Sequence, residues 1–448
     1  MDVIYRAVVD RWVPNPGSMF SSSGQKDCVS GGYFARTSTL VRPDPLEVAA
    51  GFMVGIAPSW TEPFAEEAAH HVSARQALEQ VILKAVARPP CVVDFSGGRD
   101  SSVILAVATY VARQQGLAMP IPFTRRYPLE PMAEESAWQE MVIRHLRLPE
   151  WERSQLTTEL DLVGQRAQQV LRRYGLLLPA PMYHWTLSFE MARGGSHVTG
   201  EGGDEFFGLY RARAALAHLH HPRRLLHRRP VVSFLSDIAP QSMRTWSLRR
   251  SYLSASPPPS RPWMTPEAFQ CLCDRYAEQE GAEPFSWRRA LLWQLRHRYL
   301  EAIKQNGRAI AADYDVVHSD PFLDPSFVFA LSRSAGVLGF ADRAQAMTFL
   351  ASDLLPASLL RRPTKAGFNR AYFTDIARTY AKTWDGRGVD LQLVDPEALK
   401  REWLKPVPSA LSTALLQAAW MSQHNVPIAG CDPSLTSTRA QGRGSLGS

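Results

Sequence analysis

The chain has 448 residues, 45% of them hydrophobic, with a formal net charge of +7. That length allows two or three domains with a sizeable core, and it holds neither an apolar run near the roughly 20 residues of a membrane span nor a signal-peptide pattern at the start. Five scattered cysteines, Cys28, Cys91, Cys271, Cys273 and Cys431, exclude a disulfide framework, so reduced thiols in a cytoplasmic protein are expected.

Residues 1–70 mix short β-like pieces with Pro- and Ser-rich turns, which predicts a short α+β N-terminal lead-in. From Ser73 the spacing of Ala77, Leu78, Val81, Ile82 and Val86 predicts a helix with one buried face, stopped by Pro89-Pro90. Residues 91–95 then read as an apolar strand, Ser96-Gly97-Gly98-Arg99-Asp100-Ser101 as a tight turn, and Val103 onward as a helix. Such a turn converges backbone N–H groups and the positive end of a helix dipole on one point, which suits a phosphate. Ser96, Gly97, Gly98, Ser101 and Ser102 form the candidate cradle, and Asp100 is a candidate magnesium ligand bridging phosphate oxygens. A Walker A lysine is missing, which argues against a γ-phosphate grip of the P-loop kind. The hexapeptide instead resembles the SGGxDS loop of the PP-loop ATP pyrophosphatases.

Residues 121–124 predict a second parallel strand and residues 134–146 the next helix, so strand and helix alternate. The fold class expected is α/β, a doubly wound parallel sheet with ligands at the carboxyl ends of its strands. At residues 196–208 a short strand meets a second glycine turn that presents acids at a helix start; Gly200, Glu201, Gly202 and Asp204 are its candidate nucleotide-binding residues, with Asp204 a second magnesium ligand. From about residue 212 the pattern is mostly helical, interrupted by Pro257-Pro258-Pro259, and predicts a helix-rich C-terminal lobe. The basic stretch of residues 220–229 reads as a solvated loop more readily than as a binding patch. Cys271 and Cys273 read as helix thiols, and the polar, glycine-rich residues 432–448 as a disordered tail.

Together the two turns resemble the asparagine synthetase family, with Pro181-Met182-Tyr183 and Asp320-Pro321-Phe322-Leu323-Asp324 as further landmarks. The likeness spans roughly residues 75–425, within a synthetase domain placed at 71–431. It implies a PP-loop ATP pyrophosphatase fold and ATP and Mg2+ as cofactors. It also implies a reaction in which ATP adenylates a carboxylate, pyrophosphate leaves, and an amine attacks the acyl-AMP to give an amide. Residues 361–368 look like the family's late basic loop, which implies Lys365 as the cation at the reacting phosphate. The amine must lose a proton, and Glu301, Asp313, Asp315 and His318 are the candidate bases, with Glu301 and Asp315 carried beside Lys365 as the catalytic set.

Glutamine-dependent members carry a cysteine directly after the initiator methionine, whereas here Met1 is followed by Asp2, so no glutaminase activity is expected. Amino-acid-amidating members carry Glu-Ala-Arg-Val where this chain has Val317-His318-Ser319-Asp320, which implies a different acceptor pocket. With Gly388-Val389-Asp390 and Val394-Asp395-Pro396, the chain looks most like the lasso-peptide macrolactam synthetases. The expected substrates are a peptide or small-molecule carboxylate and an amine, with a precursor peptide and biosynthetic proteins as partners, no nucleic acid and no membrane. A β-lactam-synthetase-like cyclase, an ammonia-dependent synthetase and a tRNA-modifying PP-loop enzyme stand as alternatives.

Overall fold

Cys91, Val92 and Val93 are apolar and buried, as a strand covered on both faces requires, and they open the central strand of a parallel sheet. The computed structural model describes residues 40–57, 72–208, 210–213, 215, 237–253, 260–362 and 369–426. Its five strands are β1 (Cys91–Asp94), β2 (Ile121–Arg126), β3 (Glu152–Gln155), β4 (Ser196–Val198) and β5 (Val317–Ser319), in the order β3-β2-β1-β4-β5 with every neighbouring pair parallel. The chain builds outward from β1 to β3, then returns to place β4 on the other side of β1. That reversal leaves a crevice beyond the carboxyl ends of β1 and β4, where open α/β sheets bind ligands. The expected doubly wound parallel sheet is thus present.

Helix Ala74–Val86 begins at Ser73 in a capping box with Gln76 and buries Ala77, Leu78, Val81, Ile82, Ala85 and Val86, as the sequence spacing predicts. It packs beside helix Arg99–Gln115, which is buried nearly all round from Ser101 to Thr109 and ends at Gly116 in left-handed backbone. The far face of the sheet is covered by helices Trp185–Met191 and Arg298–Ala312, the latter lying against β5. The C-terminal region is helix-rich as expected, apart from β5, whose three residues close the sheet. No helix among the described residues is long and apolar enough to cross a membrane.

The expected lead-in of residues 1–70 is described only at 40–57, and that piece shares the main core. Helix Pro45–Ala50, capped by a reciprocal Asp44–Glu47 box, buries Leu46, Ala49 and Ala50. The buried Glu47 carboxylate accepts Arg298 Nε at 3.0 Å, Trp263 Nε1 donates to the Ala49 carbonyl at 2.9 Å, and Arg261 Nε to the Ala50 carbonyl at 2.9 Å. Residues 40–57 therefore pack into the same core as the chain beyond residue 70. The remainder of the lead-in, the basic stretch 220–229, the Pro257–Pro259 run and the 432–448 tail lie outside the described residues.

Candidate active site

β1 delivers the chain into the first turn, where Gly97 and Gly202 of the second turn both take left-handed backbone, at φ +85° and +94°. Hydroxyls tie the first turn to itself. Ser101 Oγ accepts the Ser96 N–H at 3.2 Å, Ser96 Oγ accepts the Gly98 N–H at 3.2 Å, and Ser102 Oγ donates to the Gly98 carbonyl at 2.7 Å. Gly98, which has no side chain to make a capping bond, is the N-cap of helix Arg99–Gln115, so the loop ends at a helix start.

Behind this loop stands a support that sequence reasoning did not identify. Arg362, buried, grips the Glu135 carboxylate with both Nη atoms, at 2.5 and 2.7 Å, donates to the Gly97 carbonyl at 3.1 Å, and lies over the Trp138 ring at 4.7 Å. Gln139 adds an Nε2 bond to the Ser96 carbonyl at 3.1 Å. Arg362 immediately precedes residues 363–368, which carry Lys365 and lie outside the described residues.

The second turn leaves β4 and fits directly into the first. A Cβ on Gly203 would stand 2.5 Å from Asp100 Cγ, and one on Gly200 would stand 2.9 Å from the Ser101 nitrogen. Side chains are excluded at both positions. This contact brings Asp100 and Asp204 close enough that one guanidinium, that of Arg343, forms ion pairs with both carboxylates. Arg343 opens helix Arg343–Ala351 after the Asp342 cap, a position distant in sequence from both turns, and no pattern in the chain marks it.

Glu201 and Glu205 of the same turn are half-buried. Burial, then the charge of Glu205 followed by those of Asp320 and Asp204, pushes the Glu201 carboxyl up to about 8. Burial, then Asp204, pushes Glu205 up to about 7, with Arg343 opposing. The second turn thus gathers three acidic side chains, Glu201, Asp204 and Glu205, beside Asp100 of the first, and Arg343 pairs with Asp204 and Asp100. Among the described residues no group of three or more His, Cys, Asp or Glu side chains stands at metal-binding geometry. Two carboxylates suit Mg2+ nonetheless, because that ion keeps several waters and is commonly held by one or two carboxylates together with substrate phosphates.

Below the turns a chain of polar groups crosses the sheet. Asp94, the last residue of β1, forms an ion pair with Arg125, accepts Ser188 Oγ at 2.5 Å and lies 3.2 Å from His197 Nε2. His197 Nδ1 is 3.0 Å from His318 Nδ1, and His318 Nε2 is 3.1 Å from Asp320. Thr199 Oγ1 donates to Asp320 and accepts the Glu201 N–H at 3.2 Å, so the chain ends on the second turn. Burial works to raise the Asp94 carboxyl, but Arg125 and His197 outweigh it and hold Asp94 below the usual carboxylate range. His197 is lowered by burial, with Asp94 opposing.

The remaining base candidates are separated by this geometry. His318 is buried against Trp185 and Phe189 and forms part of the polar chain. Asp315, at φ +55°, precedes β5 and pairs with Arg88 at 3.3 Å, so it sits at the edge of the sheet opposite the two turns. Asp313 pairs with Arg173 and Tyr174 in the same quarter. Glu301 bonds along its own helix to Gln305 and lies 3.7 Å from Lys304. None of these contacts links Glu301, Asp313 or Asp315 to the turns.

The family model for asparagine synthase matches residues 73–423, most of the chain and all five strands. The chain belongs to the asparagine synthase family. A comparison with curated proteins returns no match. Members of the asparagine synthase family are ATP-dependent carbon–nitrogen ligases, and both turns, Arg343 and Arg362 fall within the matched segment.

Proposed function

We propose that this asparagine synthase family member is an AMP-forming amide synthetase: it adenylates a carboxylate with ATP, releases pyrophosphate and passes the acyl group to an amine without hydrolysing glutamine. The observation that carries the reading is the nesting of two acidic turns at the carboxyl ends of β1 and β4, with Asp100 and Asp204 within reach of one cation. The leaving pyrophosphate would rest on the N–H groups of the Ser96–Ser102 turn, the start of helix Arg99–Gln115 adding its dipole. Asp100 and Asp204 would hold Mg2+, which supplies charge neutralisation at the departing phosphates when bound. Gly200, Glu201 and Gly202 shape the wall opposite the phosphate turn. Lys365, three residues beyond the Arg362 anchor, would supply the cation at the reacting phosphate.

The acceptor side is read from the chain's departure at Val317–Asp320, which with the later landmarks favours a peptide whose own N-terminal amine closes a macrolactam. Direct evidence comes from incubating the protein with ATP, Mg2+ and candidate carboxylate and amine pairs, a peptide with an N-terminal amine and an acidic side chain among them, and reading nucleotide products by mass spectrometry. AMP and pyrophosphate with an amide product are expected. ADP and orthophosphate would overturn the reading, and glutamate released from added glutamine would overturn the amine assignment.

A further inference from the structure

Two carboxylates in contact distance of one cation repel each other when no positive charge lies between them, and Arg343 pairs with both. Arg343 stands at the first position of helix Arg343–Ala351, where the helix dipole disfavours a positive side chain. Helix preference therefore does not favour the guanidinium there, whereas pairing with the two acids does. Its side chain is 12% exposed, so the ion pairs are largely withdrawn from solvent and a competing cation must displace it. A guanidinium also matches phosphate oxygens in the same forked manner as carboxylate oxygens.

We propose that Arg343 holds the place of the divalent cation in the nucleotide-free protein and transfers to the polyphosphate when the metal arrives bound to nucleotide. This inference rests on the magnesium–nucleotide reading of the two turns and adds an order of binding. A bare divalent ion must displace Arg343 from both acids and brings no anion in exchange, whereas a metal–triphosphate brings phosphate oxygens that the guanidinium can grip. Arg343 is thereby a positioning residue that makes metal entry depend on the nucleotide.

The test titrates full-length protein with Mn2+ alone, followed by electron paramagnetic resonance, so that the readout is independent of turnover. Wild-type protein is expected to leave Mn2+ in its aqua spectrum into the millimolar range. Arg343→Gln should bind Mn2+ at least tenfold more tightly, a gain abolished by adding Asp100→Asn, while its affinity for Mg·ATP falls. A brace that merely holds the turns together predicts the reverse, since its removal would loosen the carboxylates and weaken the metal. Unchanged or weaker Mn2+ binding in Arg343→Gln overturns the proposal, as does tight Mn2+ binding by wild-type protein at a site lost in Asp100→Asn. Should Arg343→Gln not fold, Arg343→Lys, whose single ammonium lacks the fork, is expected to show a smaller gain in the same direction, and no gain counts against the proposal. AMP formation with no change in metal affinity would leave the reaction standing and sink this inference; the metal gain without AMP formation would do the converse.

Discussion

Arg362 shows how a single side chain can set the geometry of a loop it does not belong to. Its guanidinium satisfies both oxygens of Glu135 and the Gly97 carbonyl, all buried or nearly so, and the next residue begins the segment that carries Lys365. Truncation would strand the Glu135 carboxylate in a buried site, a change that costs about 3–5 kcal/mol when one partner of a buried ion pair is removed. Arg362→Ala is accordingly expected to lose stability on that scale in urea unfolding, whereas Glu135→Gln combined with Arg362→Met should recover part of it. Lys365→Ala belongs at this scale too: turnover should fall by about two to three orders of magnitude with ATP binding largely retained, as when one transition-state donor is removed. Single-turnover kinetics with nucleotide binding measured separately decides it, and unchanged turnover would dismiss Lys365.

At the scale of the element, the informative object is the pair of turns rather than either alone. Gly203 and Gly200 are glycines because Asp100 and the Ser101 backbone occupy the space a Cβ would need. Gly203→Ala must push the turns apart, so ATP-dependent activity is expected to drop at least a hundredfold while the far-ultraviolet circular dichroism stays that of the parent. A fully active Gly203→Ala protein would show that the contact is dispensable.

These two turns were legible in sequence because strand, glycine turn and helix start are local signals that agree with one another. β1 and helix Ala74–Val86 were legible for the same reason, through period and capping. β3 was not: Glu152-Arg153-Ser154-Gln155 is a polar edge strand, paired only with β2 and lacking an apolar run. β5 was hidden by its brevity, and its Val317-His318-Ser319 gave no alternation to read. Arg343 and the Glu135–Arg362 pair carry no local pattern at all, since only the folded chain brings residues more than a hundred positions apart into contact. Asp315 and His318 are candidate bases by residue type alone, and the direction of β5 sets Asp315 beside Arg88 at the end of the sheet away from the turns and His318 in the interior.

For the molecule as a whole, buried titratable groups fix the response to acid. Burial, then the charge of Arg125, lowers His184 to about 3, and burial alone lowers His297 to about 3. Each is neutral in the folded chain, while the unfolded chain takes up a proton below about 6.5. Their contribution is full above that pH and is lost progressively as pH falls toward 3. Glu201 and Glu205 work in the opposite sense, since their raised values favour the folded state as pH drops from 8 toward 4.5. The histidine effect is therefore read as a difference: His297→Gln should show a shallower decline in melting temperature between pH 6.5 and 4 than the parent. Parallel curves would refute it.

The junction of helix Pro45–Ala50 with the C-terminal lobe bears on how the protein can be shortened. Keeping only the segment that the family model covers, from residue 73, would remove the acceptors that helix Pro45–Ala50 gives the Trp263 indole, Arg261 Nε and Arg298 Nε, and uncover the apolar side on which Leu46 and Ala49 rest. A chain trimmed at residue 73 is expected to aggregate on expression, whereas one beginning at Leu40 should remain in the supernatant with a cooperative melt. The stably folded unit is thus expected to begin some thirty residues before the segment that the family model covers.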